Sequence, residues 1–561
     1  MFVEDLVKGF YDIISKTKIL ILVNYDVDAI CAVKILKCIL RFDNIIYVLV
    51  PVKTVTELKK AFEEQKVDVK HIVLINCGGT LDIIELLEPD EDIIFFIVDS
   101  HRPTDICNIY SSSQIRLLTP PDDDENIPNF EEIFNETESS DEDVNSDELD
   151  EIEPDNENVN SVEEQQNKRR KLDQSILVKR RERRRWEENR KKLLFDYTQF
   201  SYYGRSAAMM MFDLAWKLHR ESVDLLWWGI VGVTEQYILG KTERMRYLKE
   251  VELIAGHIGR ICDSTINHDD ENMSQSSLVK PSNTSTHLRI ESEKDLLLAL
   301  YRHWTIECSL RYSMFTAVSL KLWTIKGEKR LKQILAEMGL PLAESRQMYH
   351  SMDLSLRKEF YGFKTRYQCA DYVYSMVASL ETNSRENSSI QCFYNTMDSL
   401  SRSKKDLLDQ GIEKAKWILT NMFRHVQAAL DMRQVILAGP FYYLIIQEGT
   451  LHSQHYSNPH CLIMLASFAL RAQVASSRKT KATRLPLIAS ATLDSEQDTC
   501  LIVGIPPITE TMPRSFFGKA FEQVANNTNI EVSLDYFDSS IAKMPIKDRP
   551  KFFDALTALL S

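Results

Sequence analysis

The chain of 561 residues has no apolar run long enough to cross a membrane as a helix. The longest, Leu225–Val233 (LLWWGIVGV), falls well short of the roughly 18 residues such a span needs. The opening MFVEDLVKGFYDII lacks a basic start and a small-residue cleavage site. It therefore reads as an amphipathic helix rather than a signal peptide, in a protein of the reducing compartments. The 10 cysteines form no C-x-x-C pair and no cysteine–histidine cluster, which argues against structural zinc and against a disulfide framework. No internal repeat is present, so this length implies about three or four folding units of different kinds.

The net charge of −14 is local in origin. Asp122–Glu164 holds 20 acidic residues and no Lys or Arg, leaving 68 basic against 62 acidic residues in the rest of the chain. With few apolar residues and no usable period, residues 121–167 are expected to be a disordered acidic insert. Residues 168–192 carry 13 basic residues against four acidic ones, lack Gly and Pro, and run into Leu193, Leu194 and Phe195. A basic helix docked at its C-terminal end is expected there. Lys168, Arg169, Arg170 and Lys171 have the form of a nuclear localisation signal, with a solvated basic helix as the alternative. What remains is close to neutral, so any nucleic-acid contact depends on a local groove.

Residues 1–120 alternate strands and helices. Lys18–Val23 is a buried strand, and Ile30, Val33, Leu36 and Leu40 form one helical stripe over Ala29–Leu40. Strands at Ile45–Val50, His71–Ile75 and Asp92–Val98 continue the pattern, with apolar helices resuming at Ser206–Leu218 and Asp224–Thr234. The fold class is α/β: a mostly parallel sheet domain over 1–120 and 190–262, covered on both faces. A polar stretch at 263–287, with Pro281 and no period, reads as a linker. Residues 288–430 read as an all-helical unit, and 431–561 return to a smaller α/β domain.

Three polar loops lie at the carboxyl ends of successive strands, where parallel sheets build their sites: Asn24–Ala29 (NYDVDA), Asn76–Gly79 (NCGG) and Asp99–Pro103 (DSHRP). A D-x-D at a strand end can aim two carboxylates at hard divalent cations; taken alone it more often caps a helix. Three such loops in order resemble the DHH phosphoesterase superfamily, which includes the RecJ exonucleases. The resemblance implies a DHH domain and a smaller C-terminal DHHA1 domain, with two manganese or magnesium ions between them. It places Asp26 and Asp28 on the first motif's acids, and Asp99 and His101 on the first and last residues of the DHH triplet. Asn76 stands where the resemblance implies a metal-bridging Asp, Ser100 replaces the first His of the triplet, and Glu235 in GIVGVTEQY stands at the fourth motif's Asp. Residues 431–561 contain only Gly439, Gly449, Gly504 and Gly518, so the Gly-rich substrate motif of DHHA1 is absent.

A neutral amide is a weak bridge for two dications, and the missing imidazole removes another donor. The expectation is a vestigial site with no metal and no cofactor, in a chain that is not an enzyme. A metal-dependent single-strand exonuclease or phosphoesterase is the alternative.

Longer segments, among them VNYDVDAICAVKIL, PDEDIIFFIVDSHRP, LFDYTQFSYYGRSAAMMMFDLAW, LAEMGLPL, FFGKAFE and KFFDALTALLS, resemble a eukaryotic replication-factor branch of that superfamily. This resemblance implies a nuclear, non-catalytic subunit of the replicative helicase, in which such a protein and the GINS tetramer join the MCM hexamer. It also implies contact with other fork factors including a replicative polymerase, weak contact with single-stranded DNA, and a helical inter-domain unit that docks proteins. Between Ser355–Arg357 and Gly362–Lys364 only four residues intervene, where that branch carries a longer segment.

Overall fold

The computed structural model describes residues 1–122, 125–134, 181, 183–272, 290, 298–353, 369–380, 389–449, 453–477, 480–494, 497–508 and 513–561. Most of the acidic stretch, the basic residues Lys168, Arg169, Arg170 and Lys171, and the shortened segment around 358–361 lie outside them.

The first sheet is built from β1 (Ile19–Asn24), β2 (Tyr47–Val52), β3 (His71–Ile75), β4 (Ile94–Val98) and β5 (Ile115–Leu117), with α1 (Val27–Phe42) following β1 and α2 (Val55–Gln65) following β2. The five strands are parallel in the order β2-β1-β3-β4-β5. Ile19–Val23 and Ile72–Ile75 are buried, as strands covered on both faces must be. The chain leaves β1 toward β2 on one side and returns to β3 on the other, opening a crevice at the carboxyl ends of β1 and β3. All the expected elements of this sheet are present, with ends displaced by no more than two residues.

The rest of this domain comes from beyond the acidic stretch. His101–Arg102 pairs antiparallel with Tyr202–Tyr203, and α3 (Ala207–Lys217) and α4 (Val223–Ile238) share the core of α1. The next helix, α5 (Arg244–Asn272), continues through the first ten residues of the stretch read as a linker.

Short helices at Ile306–Tyr312, Met314–Leu320 and Ile325–Glu337 precede α6 (Cys369–Leu380), α7 (Ser389–Ser399) and α8 (Lys405–Asp431). The buried residues of this helical stretch are shared between two cores. Val373, Met376, Phe393, Ile412 and Leu419 join the core of the first sheet. Ile306, Leu331, Met422, Phe423 and Val426 join the core of the C-terminal domain. The 27-residue α8 therefore anchors its first half in one core and its second half in the other.

The C-terminal sheet contains β6 (Ile436–Leu437), β7 (Tyr442–Ile446), β8 (Leu487–Asp494), β9 (Thr499–Ile505) and β10 (Ile541–Pro545), in the order β10-β9-β8-β7-β6. Only β7 and β8 run parallel. Alternation along the strands serves two faces. Leu487, Ala489, Leu501 and Val503 meet α9 (Pro459–Ser476), whereas Ile488, Cys500 and Ile502 meet α10 (Phe517–Thr528) and α11 (Arg549–Leu560). Sequence periodicity missed α9 because it is apolar around most of its circumference, with Leu462, Leu465, Phe468 and Leu470 all buried.

Asp123–Gln199 forms a compact unit of its own. Its described residues include a helix over 183–198, which covers the end of the expected basic helix and continues beyond it. Arg183 pairs with Glu187 at 3.3 Å, and the Tyr197 hydroxyl donates to Glu125 at 2.9 Å. Among the described residues, no helix is long and apolar enough to cross a membrane.

Candidate functional site

Asp26, Asp28, Asn76, Asp99, Ser100, His101 and Glu235 are all buried. The carboxyl ends of β1, β3 and β4 bring the first six to one crevice, and hydrogen bonds connect them. Asp26 is the N-cap of α1, its Oδ1 accepting from the Ala29 amide at 2.6 Å, a role common for an acid at a helix start. Asp28 does not cap its own helix. Its carboxylate accepts from the Ser206 hydroxyl at 2.5 Å and from the amides of Ala207 and Ala208 at 2.8 and 3.0 Å, so it caps α3, far away in sequence.

Asn76 adopts φ +52°, a left-handed conformation that Asn tolerates better than most residues. Its Nδ2 donates to both oxygens of Asp26 and to Asp28 Oδ2, each at 3.3 Å, and its Oδ1 accepts from the Ser100 amide at 3.0 Å. The amide thus holds two carboxylates together by donating to both, which an Asp at this position could not do.

Asp99 is saturated as well. Oδ2 accepts from the Gly78 and Gly79 amides at 3.1 and 2.7 Å, and Oδ1 from the His101 amide at 2.8 Å and from its Nδ1 at 2.7 Å. Burial pushes the Asp99 carboxyl up, but the His101 charge and these donors outweigh it and hold the group at about 2. Burial opposes protonation of His101, yet Asp99 wins and raises its pKa.

Glu235, on α4, is fully buried and bonds Lys241 Nζ through Oε1 at 2.7 Å. Burial pushes its carboxyl up to about 7, against the pull of Lys241. Burial would deprotonate Lys241, but Glu235, Asp26 and Asp28 together raise its pKa and keep the ammonium charged. The same ammonium lies 4.8 Å from the centroid of the Tyr203 ring, which packs on His101 at 5.0 Å. The Tyr203 hydroxyl donates to Asp538 of the C-terminal domain at 3.0 Å. Two further ties join the same domains: Asp535 Oδ1 accepts from the Thr56 amide and hydroxyl, both at 2.8 Å, and Ser201 pairs with Ser515 through the backbone.

Sequence reasoning missed Lys241, Tyr203, Ser206 and Asp538. Ser206 had a local signal, as a small polar residue before the apolar run of α3. Lys241 had a weaker one, following Gly240 at the end of α4.

Gly232 sets how closely α4 approaches the site. A Cβ there would stand 2.7 Å from both Asp28 Oδ1 and the Ala208 Cβ. Gly232→Ala is expected to cost about 1–3 kcal/mol through overpacking, read as a lower urea midpoint. An unchanged midpoint would show that the α1–α4 contact is loose.

These residues do not fit the two-ion site that the resemblance implies. Asp28 and Asp99 already use both oxygens on hydrogen-bond donors, Asp26 is bonded by Ala29 and Asn76, and Glu235 by an ammonium. Among the described residues, the one group of three or more His, Cys, Asp or Glu with ligand atoms within 4.8 Å of one another is Asp82, Asp105 and Cys107. There Asp82 and Asp105 cap short helices, and burial pushes the Cys107 thiol up to about 12. A cavity of about 1810 Å³ adjoins the crevice, lined by Tyr25, Lys53, His101, Tyr203, Lys241 and His460 among others.

A family model described as CDC45 matches residues 19–375 and 361–559. The chain is 38% identical over 589 residues to the cell division control protein 45 homolog of Mus musculus, and 37% identical over 589 residues to that of Homo sapiens. Each alignment covers 100% of both chains. The fold is similar to the crystal structure of CDC45 from Entamoeba histolytica, with a TM-score of 0.64 at 20% identity over 100% of both chains.

Proposed function

The chain belongs to the CDC45 family and so to the machinery of DNA replication; on that premise we propose that it is a nuclear, non-catalytic scaffold subunit of the replicative helicase. Its partners in this reading are the MCM hexamer and the GINS tetramer, with further contacts to other fork factors such as a replicative polymerase. The observation that carries the non-catalytic part is the use of Asp28: one of the two acids of the first motif is spent on holding the start of α3 against α1. Asn76 and Ser100 support it by removing a bridging carboxylate and an imidazole from the crevice.

The scaffold part is supported by α8, a continuous rod shared by both cores, and by the hydrogen-bonded ties from Asp535, Asp538 and Ser515 across the two α/β domains. Such elements hold separated surfaces in fixed relation. Lys53 and Tyr25 on the cavity wall suit weak contact with single-stranded DNA.

Two experiments test the reading. The full chain is expected to co-purify with MCM and GINS proteins; absence from a complex that forms without it would refute the scaffold role. The purified chain with manganese or magnesium is expected to leave single-stranded DNA and short oligonucleotides intact, and neither Asn76→Asp nor Ser100→His should introduce hydrolysis. Turnover that disappears in Asp26→Ala would establish the exonuclease alternative.

A further inference from the structure

We propose that the Lys241 ammonium is a built-in counter-cation that takes the place of a divalent ion in the acidic crevice. The inference rests on the non-catalytic reading of that crevice. Asp26, Asp28 and Glu235 are buried at 4%, 1% and 0% exposure, and carboxylates withdrawn from water need a compensating charge. His101 is committed to Asp99 at 2.7 Å. The cation left for the other three acids is Lys241, bonded to Glu235 at 2.7 Å and acted on by the charges of Asp26 and Asp28.

Its placement is built into the backbone. The α4 helix ends with the Leu239 amide donating to the Glu235 carbonyl and the Lys241 amide to the Gln236 carbonyl. Gly240, at φ +73°, supplies the left-handed residue that such a terminus requires. The turn folds the chain back so that residue 241 meets a glutamate on the last turns of its own helix. Tyr203 closes the other side, its ring facing the ammonium while its hydroxyl is held by Asp538. A second feature points to a cation: Glu235 Oε2 is buried without a hydrogen-bond partner among the described residues. A doubly charged ion could use that oxygen, whereas the single ammonium uses only its neighbour.

The tethered cation makes the crevice independent of metal supply, and removing it should uncover a latent ion site. The test is thermal unfolding of the full chain with and without manganese, supported by manganese titration calorimetry. Both are separate from any nuclease assay or helicase pull-down, so failure here leaves those readings standing or falling on their own. Wild type is expected to show no manganese-dependent shift. Lys241→Met is expected to melt about 5 °C lower and to recover at least half of that loss in millimolar manganese. Should Lys241→Met fail to fold, Glu235→Gln combined with Lys241→Met removes the buried negative charge left unpaired; it is expected to fold and to ignore manganese. An unchanged melting temperature for Lys241→Met would overturn the proposal, as would equal manganese shifts in Lys241→Met and wild type or a double variant as unstable as the single one.

Discussion

Asp28→Ala is expected to lower stability by about 3 kcal/mol or more. The substitution leaves the Ser206 hydroxyl and the amides of Ala207 and Ala208 without their acceptor in a site closed to water. A buried donor left unpaired costs about 1–3 kcal/mol, and loss of a helix cap alone costs about 1 kcal/mol. Relaxation of α3 will recover part of this, so the total stays below the sum. Urea unfolding followed by circular dichroism should show the midpoint moving to lower denaturant. Asp28→Asn, which keeps one acceptor oxygen, should lose less than half as much. If both variants unfolded like wild type, α3 would have to be held by its apolar packing alone. Asp26→Ala is the useful contrast: it removes the cap of α1, yet α1 is long and packed throughout the first core, so a smaller loss is expected.

Phe315→Asp combined with Ile325→Asp is expected to weaken association with the MCM and GINS proteins at least tenfold without changing the melting temperature. Phe315 is 59% exposed and Ile325 is 77% exposed, on successive short helices of the stretch proposed to dock partners. Truncating or charging an apolar anchor near the centre of an interface commonly costs more than about 1.4 kcal/mol, a tenfold change in affinity. Val67→Asp, at an 85% exposed position of the first domain, is the matched control and should bind normally. Binding by the double variant equal to wild type would remove this surface from the docking role. Point substitutions are the appropriate tool here. Excising 288–430 would strip Val373, Phe393 and Ile412 from one core and Ile306, Leu331 and Phe423 from the other, and so would report on folding.

Much of the α/β architecture was legible from pattern alone. His71–Ile75 is a strand with the expected ends, and β1, β4, α1 and α3 differ from expectation by one or two residues. Apolar runs bounded by polar loops define such strands through side chains that are neighbours in the chain. The elements that failed had no such pattern. Lys294–Trp304 was expected to be helical, but its described residues hold only a short 3₁₀ turn at Tyr301–His303 after Leu300 at φ +53°. Within the stretch expected to be helical throughout, Met314–Leu320 is one helix, stopped early where Lys321 adopts φ +53°. β10 (Ile541–Pro545) went unseen because a lysine and a terminal proline interrupt so short an apolar segment.

The sequence by itself determined that Asp26, Asn76, Asp99, Ser100 and His101 share one crevice, because a parallel sheet places the ends of its strands together. It also determined that the helical stretch buries one face, because a helical period records burial. Only the tertiary structure decided what those groups meet. Asp28 finds Ser206 at a separation of 178 residues, Tyr203 finds Asp538 at 335 residues, and α8 divides its buried face between two cores. Periodicity reports that a side chain is withdrawn from water but carries no record of its partner. Whether a buried carboxylate binds an ion, caps a distant helix or pairs with an ammonium therefore depended on how the chain closes on itself.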